Sequence, residues 1–272
     1  MPTIDVQVHC YERNHPGRPW HAVLAGPPEV TAADMLKAME SVGVDGGLLV
    51  SVHTMYRWDA SYAVAVQKAH PDKFAVMGRP PLDKPDPHAL DHWREQKGML
   101  GIRVTTAGHG ARALFTEPEG DWLWQAAERA GLPAMVSIPG LLPELGRLAE
   151  RHPGVRFVID HLALVRDAKD EAAFGDLAAL MAVAKRPNVA AKASALPRYS
   201  SEAYPYRRLH DPLRQVFDAF GPRRFFWGTD MTGIPCTYRQ AVTLFTEELP
   251  WLSGADRELV MGRALCDWLG WP

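Results

Sequence analysis

Cysteine is scarce: Cys10, Cys236 and Cys266 are the only three among 272 residues. Their wide spacing excludes a disulfide framework and a CxxC metal site, and an odd count suits a reducing compartment. Charge of one sign is missing too. The 30 Lys and Arg against 32 Asp and Glu leave a formal net charge of -2, with no long basic run. Without a basic face, no nucleic-acid or anionic-membrane partner is expected. No apolar stretch approaches the ~20 residues that span a bilayer. The opening residues, MPTIDVQVHC, lack the basic and apolar regions of a secretion signal. A cytoplasmic protein is the expectation. There is no low-complexity tract, no linker-like shift in composition, and no GxGxxG after the first strand. The last absence weakens a dinucleotide-binding reading.

What is present is alternation. Short apolar runs take turns with amphipathic helical stretches from end to end. Strands are expected at residues 3–9, 46–51, 74–78, 100–105, 133–138, 156–160, 188–193 and 224–228. Helices are expected at 31–42, 59–69, 87–96, 118–130, 142–151, 171–185, 206–220 and 237–248, with one more at 255–269. Thr31 reads as an N-cap with Asp34 as its capping-box partner, and Gly43 as the residue that ends that helix. The strands are rich in Val, Ile, Leu and Phe without strict alternation, as when both faces are buried. The pattern predicts the α/β class: a single (β/α)8 TIM-barrel domain over residues 1–272 with an extra C-terminal helix. A doubly wound open sheet is the competing arrangement.

In such a barrel, strand C-termini and the loops after them converge on one mouth. Those positions carry Gln7 and His9, then Ser51 and His53, Arg79, Arg103 and Thr105, Ser137, Asp160 and His161, Lys192 and Ser194, and Asp230. Packing has no use for so many polar groups, so a buried polar site is the economical explanation. By strand alternation, Asp5, Gln7 and His9 share the inward face. His161 and Asp230 read as functional, and Asp160 as the cap of a turn. Arg103 sits inside a strand and needs a partner: a substrate carboxylate gripped by its guanidinium fork, or a salt bridge within the barrel. Lys192 invites the same two readings. Arg79, His53, Ser137 and Tyr199 are candidates for the substrate pocket, and Trp20, His21 and Trp58 for its cover.

Four segments resemble the amidohydrolase-related family: IDVQVH at the start, GIRV, VIDHLAL and FFWGTDMT. This is the "amidohydrolase 2" branch, and the pattern is most similar to the lactonase-like group that includes 2-pyrone-4,6-dicarboxylate hydrolase. The resemblance implies that His9, His161 and Asp230 stand where the family's catalytic or metal-site residues stand. Gln7 replaces the first His of the family's HxH pair. An amide oxygen is a poor ligand for zinc, so no cofactor is favoured. Zn or Mn held by His9, His161 and Asp230 is the alternative. The expected activity is hydrolysis of a lactone or other ester-like bond in a small acid. Asp230 would be the general base, His9 and His161 with Gln7 would polarise the carbonyl, and Arg103, Lys192 or Arg79 would hold a substrate carboxylate. A metal-assisted non-oxidative decarboxylase and a catalytically degenerate binding protein remain alternatives. Homo-oligomerisation is left open: Trp251, Trp268 and Trp271 could serve an interface or cap the barrel floor.

Overall fold

Eight short parallel strands run in sequence order around a barrel. A computed structural model describes residues 2–23, 26–106, 111–165 and 167–271. The strands are β1 (Ile4–Val8), β2 (Gly46–Val50), β3 (Phe74–Gly78), β4 (Met99–Thr105), β5 (Ala134–Ser137), β6 (Phe157–Ile159), β7 (Val189–Ala193) and β8 (Phe225–Trp227). Each pairs in parallel with the next.

The period of two along a strand builds the site. Val6, Leu48, Val50, Ala75, Met77, Met135, Val158, Ala190 and Phe226 form one buried cluster inside the barrel. Val8, Leu49, Val76, Ile102, Val104, Val136, Ile159, Ala191 and Phe225 belong to the larger cluster beneath the helices. Two residues onward, the inward positions turn polar. Met135 gives way to Ser137, Val158 to Asp160, and Ala190 to Lys192 and then Ser194. The barrel is therefore apolar at its waist and polar at its C-terminal end.

The seam between β8 and β1 is held differently from the other seven junctions. The Asp230 N–H donates to the Gln7 carbonyl at 2.9 Å. The Asp5 carboxylate, fully buried, accepts from the Thr229 N–H at 2.8 Å, the Thr229 hydroxyl at 2.5 Å and the Tyr238 hydroxyl at 3.0 Å. It also accepts from the Gln7 N–H at 3.0 Å. The alternation predicted for IDVQVH is thereby corrected. The pairing of β1 with β2 is irregular between Asp5 and Val8, and such a bulge re-aims side chains. Asp5 faces β8 and Tyr238, while Gln7 turns into the barrel towards Lys192 and His9, and His9 faces the cavity. A Cβ on Gly228 would overlap Val6 Cγ1 and lie 3.1 Å from the Val6 nitrogen. Gly228→Ala is thus expected to destabilise the fold by about 1–3 kcal/mol through overpacking. Chemical denaturation checks this, and an unchanged midpoint would refute it.

The helices are α1 (Ala32–Glu40), α2 (Ser61–Ala69), α3 (Asp121–Arg129), α4 (Leu142–Arg151), α5 (Leu177–Val183), α6 (His210–Phe220), α7 (Tyr238–Thr246) and α8 (Ala264–Leu269). The capping box at α1 is formed, with Thr31 Oγ1 accepting from the Asp34 N–H and Asp34 from the Thr31 N–H. Three helix expectations are corrected. Residues 87–96 form turns and a 3-10 segment, Trp93–Glu95. Leu90 alone among them is buried, with Trp93 packed half-buried against the same core, so the apolar stripe is too narrow to dock a full helix. The helix expected at 171–185 splits around Gly175 into Asp170–Ala173 and α5. That expected at 255–269 is interrupted by a π-type turn, Leu259–Arg263. There Gly262 lies so close to the β1 entry that an added Cβ would overlap the Pro2 carbonyl oxygen. Trp268 and Trp271 pack against the inner cluster, and Trp251 lies 5.1 Å from Phe217. No helix among the described residues is long and apolar enough to cross a membrane.

Candidate active site

A cavity of about 510 Å³ opens at the C-terminal end of the barrel. Ten residues singled out from the sequence line it: His9, His53, Arg79, Arg103, Thr105, Ser137, Asp160, His161, Tyr199 and Asp230. These come from the ends of all eight strands or the loops that follow them. Gln7 and Lys192 do not line the cavity; they lie beneath its floor. Trp20 and Trp58 do not line it either, and instead donate their indole N–H groups to the Glu12 carbonyl and the Asp83 carboxylate.

Asp230 is the centre of the arrangement. Its Oδ1 lies 3.0 Å from His9 Nε2, and its Oδ2 is 3.8 Å from His161 Nε2 and 3.6 Å from the Arg198 guanidinium. Burial pushes the Asp230 carboxyl up. The His9 hydrogen bond and the charges of His9, His161 and Arg198 outweigh this and hold it at about 2. Asp230 is therefore a carboxylate throughout the neutral range. Both Asp230 and His161 occupy left-handed backbone, with φ of 55° and 51°. Leu162 and Ala163 continue that conformation at 55° and 51°. Non-glycine residues adopt it at a cost of about 1–3 kcal/mol each, a strain that gathers at functional sites.

His9 is anchored by its other nitrogen. Nδ1 lies 2.6 Å from the Val50 carbonyl, which only accepts, so Nδ1 carries a proton. Nε2 then faces two neighbours with opposite demands. The Asp230 contact calls for a proton on Nε2, whereas Gln7 Nε2, at 3.3 Å, offers one. The Gln7 amide is oriented by Lys192, whose ammonium donates to Gln7 Oε1 at 2.6 Å.

Under the floor, Lys192 is fully buried. Its ammonium donates to Gln7 Oε1 and to Met135 Sδ at 3.2 Å, and forms an ion pair with Asp160 Oδ1 at 2.5 Å. It is fully buried and does not line the cavity, so its place is to hold Gln7 and Asp160. Asp160 also takes the Arg103 Nε proton at 2.6 Å. The reading of Asp160 as a turn cap is thus corrected: it is the counter-ion of two buried cations. Burial pushes its carboxyl up, but Arg103, Lys192 and His161 hold it well below the usual carboxylate range. The sequence signalled that Arg103 needed a partner, but not which one. Arg198, 32 residues before Asp230 in the neighbouring strand's loop, was likewise not legible as its companion.

Arg79 is different from its neighbours. It is 3% exposed, donates Nε–H to the Ser51 carbonyl at 2.9 Å, and its buried Nη1 has no hydrogen-bond partner among the described residues. Burial and the nearby Arg103 push its guanidinium well below its ordinary value. An anion in the cavity would satisfy it.

Burial, reinforced by the charges of Lys192 and Arg103, holds the His161 imidazole down at about 4, against the upward pull of Asp230 and Asp160. It is neutral above about pH 5. An unfolded His titrates near ~6.5, so between about 6.5 and 4 the unfolded chain takes a proton that the fold refuses. Stability is expected to fall as pH drops through that window. His161→Gln should flatten this slope in denaturation measured at several pH values. An equally steep slope in that variant would assign the effect elsewhere.

The donor set does not fit a divalent cation as it stands. Gln7 turns its NH2 group, not its oxygen, towards His9, because Lys192 holds the oxygen. The Arg198 guanidinium sits beside Asp230 Oδ2. Among the described residues, no three His, Cys, Asp or Glu side chains meet in the geometry of a metal site.

Comparison with known proteins agrees with the architecture. The sequence model of a family described as amidohydrolase matches residues 4–263. No curated protein matches at the sequence level. An amidohydrolase from Burkholderia multivorans with bound zinc is 20% identical with a TM-score of 0.83, each chain covered in full. A proposed 2-pyrone-4,6-dicarboxylic acid hydrolase from Pseudomonas putida is 21% identical over 98% of this chain and 97% of its own, with a TM-score of 0.77. A 2,6-dihydroxybenzoate decarboxylase from Rhizobium is 14% identical over 99% and 98%, with a TM-score of 0.68. At these identities the likeness is one of fold.

Proposed function

The chain belongs to the amidohydrolase family, and on that premise we propose that it is a hydrolase that opens a lactone or similar ester-like bond in a small carboxylate-bearing substrate without a metal. One observation carries the reading. A buried carboxylate, Asp230, stands between two imidazoles on one side of a cavity whose wall also holds Arg79, buried with an unsatisfied nitrogen. The first group suits activation of water, and the second calls for an anionic substrate.

Arg79 and Arg103 hold the substrate carboxylate. His9 Nε2–H and His161 donate to the scissile carbonyl oxygen, where negative charge develops. Asp230 takes a proton from water as the water oxygen bonds to the carbonyl carbon. The tetrahedral intermediate then expels the ring oxygen, which takes a proton back from the Asp230–His9 pair. The products are a hydroxyl group and a new carboxylic acid, which releases its proton to solvent and leaves as the carboxylate. A carboxylate held at about 2 is a weak base at rest. As His9 turns its proton to the substrate oxygen, the contact that depresses Asp230 weakens and its basicity rises when it is needed.

The reading is tested with a series of carboxylate-bearing lactones in 18O-labelled water. The expected result is ring opening with one labelled oxygen in the new carboxylate, no CO2, and full activity after chelator treatment. Release of CO2 without incorporation would make the protein a decarboxylase. Ligand-induced thermal stabilisation without turnover would make it a binding protein. Loss of turnover on chelation, restored by Zn or Mn, would overturn the metal-free reading.

A further inference from the structure

We propose that Ser194 is a positioning residue that fixes the His161 imidazole as its Nε2–H tautomer and so makes it a permanent hydrogen-bond donor to the cavity. The role of that donor rests on the ring-opening reading above; the tautomer itself does not.

Ser194 follows β7 and points inward, two residues beyond Lys192. It is fully buried, and its Oγ lies 2.8 Å from His161 Nδ1. That nitrogen is the hydroxyl's only partner among the described residues. A hydroxyl has one proton, and in a buried place that proton needs an acceptor. Nδ1 provides one only when it is bare. In the reverse arrangement, Nδ1–H would donate to Oγ and leave the hydroxyl proton facing nothing, the more costly state. A neutral ring with bare Nδ1 carries its proton on Nε2. On that side lies Asp230 Oδ2, at 3.8 Å, which favours a proton there. The carboxylate that precedes His161 in the chain, Asp160, is committed to Arg103 and Lys192 and offers no rival acceptor.

The two site imidazoles are thereby set in opposite ways by their anchors. His9 is anchored by a carbonyl, an acceptor, which places a proton on Nδ1 and leaves Nε2 free to gain or lose one. His161 is anchored by a hydroxyl, a donor, which leaves Nδ1 bare and the proton on Nε2. His9 can therefore exchange a proton with the reacting groups, whereas His161 can only donate a hydrogen bond. Nor can Nε2–H of His161 act as a ligand to a cation, since a ligating nitrogen must be bare.

The experiment is long-range 1H–15N correlation of the 15N-histidine-labelled protein, with His161→Gln used to identify the His161 signals. The wild type is expected to show a protonated Nε2 and a bare Nδ1 between about pH 6 and 8. In Ser194→Ala, the His161 signals should move to a tautomer mixture or to Nδ1–H while those of His9 stay in place. With the anchor gone, kcat should fall by about 10-fold at unchanged KM. A proton on Nδ1 in the wild type, or the wild-type tautomer retained in Ser194→Ala, would overturn the proposal. If the tautomers behave as stated but the protein opens no lactone, the hydrolase reading fails and the Ser194 assignment stands.

Discussion

Asp160→Asn is expected to destabilise the fold by about 3–5 kcal/mol at neutral pH, because it leaves buried charge without its counter-ion. The wild-type carboxylate is fully buried and meets Arg103 Nε at 2.6 Å and Lys192 Nζ at 2.5 Å. Lys192 is 0% exposed and Arg103 8%. Asparagine keeps the shape and removes the charge, so the change isolates the electrostatic part. Total stabilities of about 5–15 kcal/mol make such a loss severe. Lys192 has one escape: burial already pushes its ammonium below its ordinary value, and losing the proton would bring the cost to the lower end of the range. Adding Lys192→Met should therefore recover part of the loss, since it removes one orphaned charge. The wild type should show the matching acid dependence. The Asp160 carboxyl is held below its unfolded value of ~3.9, so its contribution is complete above that pH, declines below it and is lost as pH falls through the lower folded value. Urea denaturation of the single and double variants checks the set. A loss below about 1 kcal/mol in Asp160→Asn would mean that water reaches these cations and that the ion pairs are weak.

The second large effect is on turnover. Asp230→Asn is expected to lower kcat by at least ~100-fold, as removal of a positioned base does. The substitution keeps the volume of the side chain and the backbone N–H bond to the Gln7 carbonyl. It removes the negative charge and replaces one of the two carboxylate oxygens that face the imidazoles with an NH2 group, which cannot accept a proton. Substrate affinity should change little, because the proposed mechanism assigns the substrate carboxylate to Arg79 and Arg103, on another part of the wall. Steady-state kinetics on a lactone that the wild type opens would decide it. Near-wild-type kcat would remove Asp230 from the role of base and with it the proposed mechanism.

Some of this was legible in the chain. The capping box Thr31–Asp34, the strand at 74–78 and the helix at 142–151 were read within a residue or two, because each depends on neighbours one to four positions away. The segment 87–96 misled for the same reason: its composition suits a helix, but only Leu90 is buried and Trp93 half-buried, too narrow an apolar stripe to fix a full helix on the core. Among site residues, His9, His161 and Asp230 stood out as polar groups directly after apolar strands. Asp160 was misread because its partners lie 57 residues upstream and 32 downstream, where no local pattern reaches. The direction of Asp5 depended on an irregularity in the pairing of β1 with β2, which one strand's own sequence does not announce.

The amino-acid order alone determined the eightfold rhythm of strand and helix, and which inward positions change from apolar to polar near the strand ends. These follow from short-range periodicity, and any barrel built from this chain would inherit them. Tertiary structure decided the partnerships: Lys192 with Gln7 across 185 residues, Asp5 with Thr229 across 224, a carbonyl behind one imidazole and a hydroxyl behind the other. Hydrogen bonds are directional and extend about 3 Å. Which donor meets which acceptor, and hence where each proton resides, is settled only when closure of the barrel brings distant strands side by side.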